Sequence, residues 1–198
     1  MSRIAIDPGM NGGFAIEDLA IEDLAIEDWD EIEEGPISLP TRRPPRDQYL
    51  GGSMSLIAID PGMNGGFAIE DWDEIQVIKM PDTYPGILDT LHQLSMDMIR
   101  PCVVIEDVGY HVAGNNASAS CKFARHVGHL EMALYSVNMP VQRVRPVKWQ
   151  RMFTLPKDKR ERKRKMKELM AAQYPYLKVT YWNADALGIL TWAMKEGE

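Results

Sequence analysis

Three acidic residues of this chain stand where a predicted strand or helix begins or ends. Asp60 closes an apolar run and is followed by Pro-Gly, Glu106 closes the apolar run PCVVIE, and Asp185 falls in the first turn of the last predicted helix. Three carboxylates in contact repel one another and raise each other's pKa unless a cation lies among them. Hard oxygen ligands suit Mg²⁺ or Mn²⁺, and two such ions about 4 Å apart can promote in-line hydrolysis of a phosphodiester. The three acids therefore predict a divalent-metal site.

Each acid also has an ordinary structural explanation. Asp60 before Pro-Gly is a common turn-forming residue, and Glu106 could simply end a solvated strand. Asp185 could be a first-turn acid that the helix dipole stabilises by about 0.3–1 kcal/mol. The joint occurrence of all three acids in one order of elements favours the metal site.

The elements that must position these acids follow from hydrophobic periodicity and turn signals. Asn64-Gly65 is a strong hairpin signal between the first two of three successive strands. The predicted elements are strands at 56–60, 66–70 and 74–80, a helix from Ile87 to Met98, a buried strand at 102–106, a long helix through 123–134, a strand at 141–145, a basic helix at about 158–174, a short strand at 177–181 and a final helix from Ala184. This order predicts an α/β fold with a mixed sheet flanked by helices. The first and fourth strands are expected to be central neighbours, which would bring Asp60 and Glu106 to one sheet edge.

The chain repeats its own beginning. Fifteen residues, IAIDPGMNGGFAIED, occur at 4–18 and again at 57–71. In the second copy WDEI follows directly at 72–75, whereas in the first copy two LAIED units at 19–28 are inserted before WDEI at 29–32. Two copies are too few for a solenoid. We therefore predict an acidic appendage at 1–53, which duplicates the first hairpin and ends in a Pro- and Gly-rich linker, followed by one domain at 54–198. Asp7 in the first copy lacks the later partners that Asp60 has.

The distribution of charge matters more than its sum. The 198 residues carry a net charge of −7, but residues 1–50 contribute −8 and residues 51–198 contribute +1. The segment 143–167 contains 12 Lys and Arg residues and only two acids, Asp158 and Glu161. Such a concentration of one sign indicates a polyanion as partner.

Within that segment, a helix is predicted to begin at a capping box formed by Asp158 and Glu161. Met166, Leu169, Met170 and Gln173 define its inner face, and the cations occupy the outer one. A solvated helix face is the usual meaning of a charge run. Here the excess has one sign, which favours phosphate binding without base specificity.

Several other classes of protein are disfavoured. No apolar run reaches the roughly 18 residues that span a bilayer, so an intracellular protein without membrane contact is expected. Cys102 and Cys121 are predicted to be buried thiols. His126 and His129 have no cysteine at ligand spacing, so a zinc site is not predicted.

At this point the motifs resemble those of RuvC-like Holliday-junction resolvases of the RNase H-like superfamily. IAIDPGMNGG resembles their first-strand motif, VVIEDVGY and NNASASCKFARHVG resemble the fourth strand and the helix after it, and VRPVKWQ, LPKDK and ADALGIL match later landmarks, particularly those of phage and small resolvases. The similarity covers about 56–193. Asp-Pro-Gly alone is only weakly specific for this family, whereas the ordered set of motifs is a fairly strong signal.

The resemblance implies an RNase H-like fold, with a mixed five-stranded sheet flanked by helices. It also implies a homodimer that cuts four-way DNA junctions with Mg²⁺ or Mn²⁺, two ions per site. By position, Asp60, Glu106 and Asp185 would be metal ligands and catalytic residues, and Lys148 would approach the scissile phosphate. Further contacts to branched DNA are expected from Tyr110, Asn115, Asn116, Lys122, Arg125, Lys157, Lys159, Arg160, Arg162 and Lys163. As alternatives, Tyr110 is a packed aromatic and the two asparagines cap the next helix.

One position departs from the family pattern. A fourth carboxylate is expected three residues before Asp185, where this chain has Trp182, followed by Asn183. Asn183 is predicted to cap the final helix, although an amide oxygen is also a weak metal ligand.

Two rival functions stay open: an RNase H-like nuclease that acts on RNA, as YqgF-like proteins do, and a catalytically inactive junction-binding protein.

Overall fold

The structure, a computed structural model, describes residues 3–6, 14–17, 55–72, 74–109 and 117–196. The chain divides into two compact units, Met1–Ile37 and Ser38–Glu198. In the first unit, β1 (Arg3–Ile6) and β2 (Phe14–Glu17) pair antiparallel with Ile4 opposite Ile16. The domain boundary predicted after residue 53 lies outside the described residues and stays a prediction.

The second unit is built on a sheet of five strands. They are β3 (Leu56–Asp60), β4 (Gly66–Asp71), β5 (Glu74–Lys79), β6 (Cys102–Glu106) and β7 (Val141–Val144). The strands lie in the order β5-β4-β3-β6-β7. Strand β4 is antiparallel to both β3 and β5, whereas β3, β6 and β7 run parallel. As expected, β3 and β6 are central neighbours.

Helices cover both faces of this sheet. They are α1 (Tyr84–Asp97), α2 (Ala117–Ser136), α3 (Pro146–Gln150), α4 (Lys159–Gln173) and α5 (Ala184–Glu196). Because side chains alternate along a strand, Ile57 and Ile59 join one buried cluster with α1 and α2. Leu56 and Ala58 join the other, with α3, α4 and α5. The predicted α/β fold with a mixed five-stranded sheet flanked by helices is confirmed.

One predicted strand is wrong. Residues 177–181 form irregular chain and a turn, not a strand. The reason lies in Asn183, whose fully buried amide accepts a hydrogen bond from Thr180 N (2.7 Å) and donates one to Lys178 O (3.2 Å). Backbone groups that a sheet ladder would need are thus engaged by a side chain. Asn183 occupies the predicted position directly before α5, and its backbone carbonyl accepts a hydrogen bond from Leu187 N at 2.9 Å. Its amide, however, bonds to the preceding turn and not to the first turn of the helix.

Other local predictions have mixed outcomes. Asp158 caps α4 as predicted, because its carboxylate accepts from the backbone N–H groups of Arg160 and Glu161, both at 2.9 Å. Cys102 is buried, but Cys121 is exposed on α2, so its predicted burial is wrong. The short helix α3 was not predicted. Among the described helices, none is long and apolar enough to cross a membrane.

Candidate active site at the sheet edge

Strand alternation places Asp60 and Glu106 on the same side of the sheet. Asp60 follows Leu56 and Ala58 at two-residue spacing, and Glu106 follows Cys102 and Val104 in the parallel neighbour strand. Those four residues pack in the cluster that α5 completes. Both carboxyl groups therefore leave the end of the sheet on the α5 side.

Asp185 meets them from α5. It lies in the first turn of that helix, whose Ala184, Ala186 and Leu187 are buried against β3, β4 and β6. The two strand ends and the helix start thus bring three carboxyl groups, each partly buried, to one place.

The electrostatics show how strongly the three groups affect one another. Burial, followed by the charges of Asp185 and Glu106, raises the pKa of Asp60 to about 8. Burial also raises the pKa of Glu106 to about 7, with a further contribution from Asp185. The pKa of Asp185 is raised by burial as well. A carboxyl group with a pKa near 7 or 8 is a feature of functional sites more than of structural ones.

Trp149 is a site residue that the sequence analysis did not single out. It lies in α3, is buried, and its indole Nε1 donates a hydrogen bond to Glu106 Oε1 at 2.8 Å. This bond lowers the pKa of Glu106, opposing the effect of burial. Its place in VKWQ, within the basic segment 143–167, could have marked Trp149 as a candidate site residue. Nothing in the sequence, however, indicates which strand end its indole reaches.

Gly65 and Gly66 allow the hairpin turn to pack closely against Asp60 and its neighbours. A Cβ on Gly65 would lie 2.2 Å from Asp60 O and 3.0 Å from its carboxyl carbon. A Cβ on Gly66 would lie 2.6 Å from Ile78 O and 2.9 Å from the ring of Trp182. Only glycine allows such close approaches. The hairpin turn therefore presses directly against the carboxyl group of Asp60.

Trp182 lies where the family pattern has a fourth carboxylate. Its ring packs on Gly66, which pairs with Asp60 across β3 and β4. An indole in this place adds no metal ligand and covers one side of the strand end. Asn183 is not a substitute ligand, since both ends of its amide are engaged in the preceding turn.

The cations nearest the carboxyl groups come from α4. Lys163 lowers the pKa of Asp60, Glu106 and Asp185, and Arg162 lowers that of Asp185. This helix packs on α5 through buried Met166 and Met170, as predicted for its inner face, whereas Gln173, predicted on the same face, is exposed. Lys163 was predicted only as one of several DNA contacts, and the structure gives it a particular position facing the acids.

Lys148, by contrast, is not brought to the carboxyl groups. Its ammonium lies 3.6 Å from Glu196 Oε2 and 5.0 Å from the centre of the Trp192 ring. Both partners belong to the C-terminal half of α5, about 10–16 Å along the helix from Asp185 at 1.5 Å per residue. These contacts hold the Lys148 ammonium away from the three carboxyl groups, and so not at the scissile phosphate where it was predicted.

The remaining predicted DNA contacts fall into two groups. Five cations are exposed on α2 or at the start of α4, namely Lys122, Arg125, Lys157, Lys159 and Arg160. Tyr110, Asn115 and Asn116 lie outside the described residues. Lys157, Lys159 and Arg160 adjoin Arg162 and Lys163 along the chain, whereas Lys122 and Arg125 belong to α2, on the other face of the sheet.

The chemistry of these donors, although not their spacing as placed, suits a hard divalent cation. An ion would relieve the repulsion that raises the pKa of Asp60 and Glu106, and carboxylate oxygens are the donors that Mg²⁺ and Mn²⁺ prefer. As placed, the set is open: within the described part of the chain, no three His, Cys, Asp or Glu side chains stand close enough to enclose an ion. Mg²⁺ usually keeps several waters and few protein ligands, so an open set of carboxylates is compatible with it.

Comparisons with known proteins give fold similarity alone. No family model matches the sequence, and no curated protein matches it. Two similar solved structures are of RuvC from Thermus thermophilus. One, in complex with Holliday junction substrate, is 16% identical, with a TM-score of 0.48 over 73% of this chain and 96% of that chain. The other is 17% identical, with a TM-score of 0.47 over 73% and 97%.

Proposed function

We propose that this chain is a structure-selective DNA endonuclease that resolves four-way junctions by metal-dependent hydrolysis of a phosphodiester. The observation that carries the proposal is the meeting of Asp60, Glu106 and Asp185 at one sheet edge, with the cationic helix α4 facing them. The acids supply metal donors and the helix supplies phosphate contacts. An ordinary turn, strand end or helix start explains each acid alone but not their convergence.

In this proposal the three carboxylates hold two Mg²⁺ or Mn²⁺ ions, which when bound supply an activated water and stabilise the leaving oxygen. The chain's own residues orient the parts. Trp149 engages one oxygen of Glu106 by a hydrogen bond, and the other oxygen would be available as a metal ligand. Lys163 lowers the pKa of all three carboxyl groups, which favours their ionised forms, and neutralises part of the phosphate charge that approaches them. The exposed cations hold the DNA backbone without reading its sequence.

We further propose that the active form is a homodimer, because a four-way junction offers two equivalent strands to a two-fold symmetric pair of sites. Met132 and Tyr135, three residues apart on α2, are 62% and 44% exposed. A second copy would remove this apolar surface from water.

A second candidate is a junction-binding protein without activity. The observation in its favour is Trp182, which replaces an acid in a donor set that is already open. Such a protein would bind four-way DNA with a steep salt dependence and leave it intact.

The experiment that tests the proposal compares substrates. The full chain is incubated with a four-way DNA junction, a DNA flap and a structured RNA, in Mg²⁺ and in Mn²⁺. We expect cleavage of the four-way junction in preference to the flap and the RNA. Preferred cleavage of RNA would support the alternative RNA nuclease instead, and tight junction binding without cleavage would support the inactive binder.

Replacing Lys163 by Met is expected to slow junction cleavage by about a hundredfold at pH 7, at the lower end of the range of about 10²–10³ seen when one electrostatic contact is removed from a site. Without Lys163 the pKa of all three acids rises, so fewer of them are ionised and the loss shrinks toward pH 9. Single-turnover rates from pH 6 to 9 measure both effects.

Lys148→Met is the matched control, because Lys148 is also a lysine but lies in α3 and contacts the C-terminal end of α5, away from Asp185. We expect its rate to stay within about threefold of the wild-type rate, because an exposed ion pair such as its contact with Glu196 contributes little. Equal losses in the two variants, with the same pH profile, would show that Lys163 has no special position.

A further inference from the structure

Helices α4 and α5 lie side by side and run in the same direction. Met166 of α4 lies against Gly188 of α5, where an added Cβ would be 3.2 Å from the Met166 sulfur. Farther along both helices, the hydroxyl of Thr191 lies 3.8 Å from the sulfur of Met170. The contacts advance in the same order along the two helices. The turns that precede these contacts therefore also lie next to each other.

One turn earlier, this alignment brings Lys163 beside Asp185. Lys163 stands three residues before Met166, and Asp185 stands three residues before Gly188. Residues three apart share a face of a helix. Burial raises the pKa of Asp185, and Lys163 opposes that effect more than any other charge does. Lys163 also lowers the pKa of the other two acids of the site. Packing and electrostatics thus agree on Lys163 as the cation that faces the three carboxyl groups.

The position of Lys163 allows its ammonium to change partner. The side chain is exposed to solvent, and a lysine carries its charge on a flexible four-carbon stem. Arg162 also acts on Asp185, but its guanidinium donates a hydrogen bond to Lys157 O at 3.4 Å, just before α4. Lys163 is therefore the cation that can move from the carboxyl groups to another anion without a movement of α4.

We propose that Lys163 is the counter-cation of the three carboxyl groups in the metal-free chain, that it competes there with the divalent ion, and that a DNA phosphate draws it away. Neighbouring carboxylates require positive charge among them, and an ammonium and a divalent ion at the same place repel each other. The DNA step rests on the proposed function, whereas the competition with the ion does not need it. The proposal makes metal binding weak until DNA is present.

The first test measures metal affinity without DNA and requires no cleavage. The full chain is titrated with Mn²⁺, and unbound Mn²⁺ is followed by its electron paramagnetic resonance signal. We expect Lys163→Met to bind Mn²⁺ about tenfold more tightly than the wild type, because one nearby positive charge is removed. Lys163→Arg keeps the charge and should stay within about twofold of the wild type. Unchanged or weaker Mn²⁺ binding by Lys163→Met would overturn the proposal.

Lys165→Met is the matched control for this titration. Lys165 is an exposed lysine of the same helix, so its replacement removes the same charge from α4. Two residues at 3.6 residues per turn place it on the other side of the helix from Lys163. We expect its Mn²⁺ affinity to equal that of the wild type. Equal tightening in Lys163→Met and Lys165→Met would reveal an effect of net charge alone and would also overturn the proposal.

The second test measures DNA affinity without metal. Binding of a four-way junction to the full chain is measured in a chelator at several salt concentrations. We expect Lys163→Met to bind the junction more weakly than the wild type, with a salt dependence smaller by about one unit of slope, as for the loss of one phosphate contact. A residue with only a structural role would not tighten metal binding and weaken DNA binding together. Unchanged junction affinity would overturn the DNA step.

The outcomes separate this proposal from the proposed function. Tighter Mn²⁺ binding by Lys163→Met, with no junction cut under any condition, would support Lys163 as the counter-cation and contradict the nuclease. Metal-dependent cleavage of the junction, with the same Mn²⁺ affinity in the wild type and Lys163→Met, would support the nuclease and overturn the counter-cation. Absence of Mn²⁺ binding by all of these proteins would overturn both.

Discussion

Replacing Asp60 by Asn is expected to abolish cleavage of a four-way junction, with a rate reduced by at least about 10³-fold, and to leave junction affinity within a few fold. Asn has nearly the same shape but carries no charge, so it cannot serve as an anionic ligand for an ion that lowers the barrier by several kcal/mol. DNA affinity comes mainly from phosphate contacts of the cations, which the substitution does not touch. Single-turnover cleavage and filter binding measure the two quantities.

Asp7→Asn is the matched control, because Asp7 lies in an identical fifteen-residue sequence. The proposal assigns catalysis to the copy that leads into Glu106, α4 and Asp185, so this variant should cleave at the wild-type rate. Undiminished cleavage by Asp60→Asn would contradict the assignment. A loss confined to Asp7→Asn would move the site to the first copy.

The second large effect concerns stability and pH in the absence of divalent ions. The pKa of Asp60 is about 8 in the folded chain, against an ordinary value of 3.8. Between these values the folded state keeps a proton that the unfolded state has released, so raising the pH favours unfolding. The stabilising effect of this proton is complete below about pH 4 and is lost as the pH rises through about 8. Asp60→Asn removes this dependence.

We therefore expect Asp60→Asn to be more stable than the wild type at pH 8, by an amount on the order of 2–4 kcal/mol, and similar to it near pH 4. Urea unfolding in the presence of a chelator, at one-unit steps from pH 4 to 9, measures the difference. Adding Mn²⁺ at pH 8 should stabilise the wild type and not the variant. Parallel pH profiles for the two proteins would mean that Asp60 is not perturbed as the structure indicates.

Much of the sheet could be predicted from the sequence because strand signals are local. The apolar runs that end in Asp60 and Glu106 have strand length and clear turn signals, and the alternation of Leu56, Ala58 and Asp60 determines the face on which the carboxyl group lies. The short strand predicted at 177–181 failed because its backbone is held by the amide of Asn183. A contact of that kind depends on burial that a local pattern does not reveal.

The carboxyl residues of the candidate site were easier to predict than their neighbours. Three acids at element ends could be recognised singly, and the resemblance supplied their grouping. The choice between Lys148 and Lys163 depends on how α3 and α4 pack on α5. Trp149 likewise reaches Glu106 only through the packing of a five-residue helix. The effect of Trp182 was visible as a missing acid, but its contact with Gly66 was not.

The duplicated hairpin is a case in which local sequence cannot decide which of two copies forms the central strand. Strands β1 and β2 pair with the same register as β3 and β4, Ile4 opposite Ile16 and Ile57 opposite Ile69. Identical sequence thus forms the same hairpin twice, and local physics does not distinguish the copies. What distinguishes them is position 56, where the second copy has the fully buried Leu56 and the first has Arg3. A buried charge without a partner is costly, so the second copy is the better central strand.

The most direct test of the central claim is the metal dependence of junction cleavage by the full chain. A synthetic four-way junction, labelled on each strand in turn, is incubated with Mg²⁺, with Mn²⁺ and with a chelator, and the cuts are mapped. We expect paired cuts in opposite strands that require the metal and disappear in Glu106→Gln. Tight binding of an intact junction under every metal condition, or cleavage that persists with the chelator, would contradict the proposal that these three carboxylates form the catalytic site.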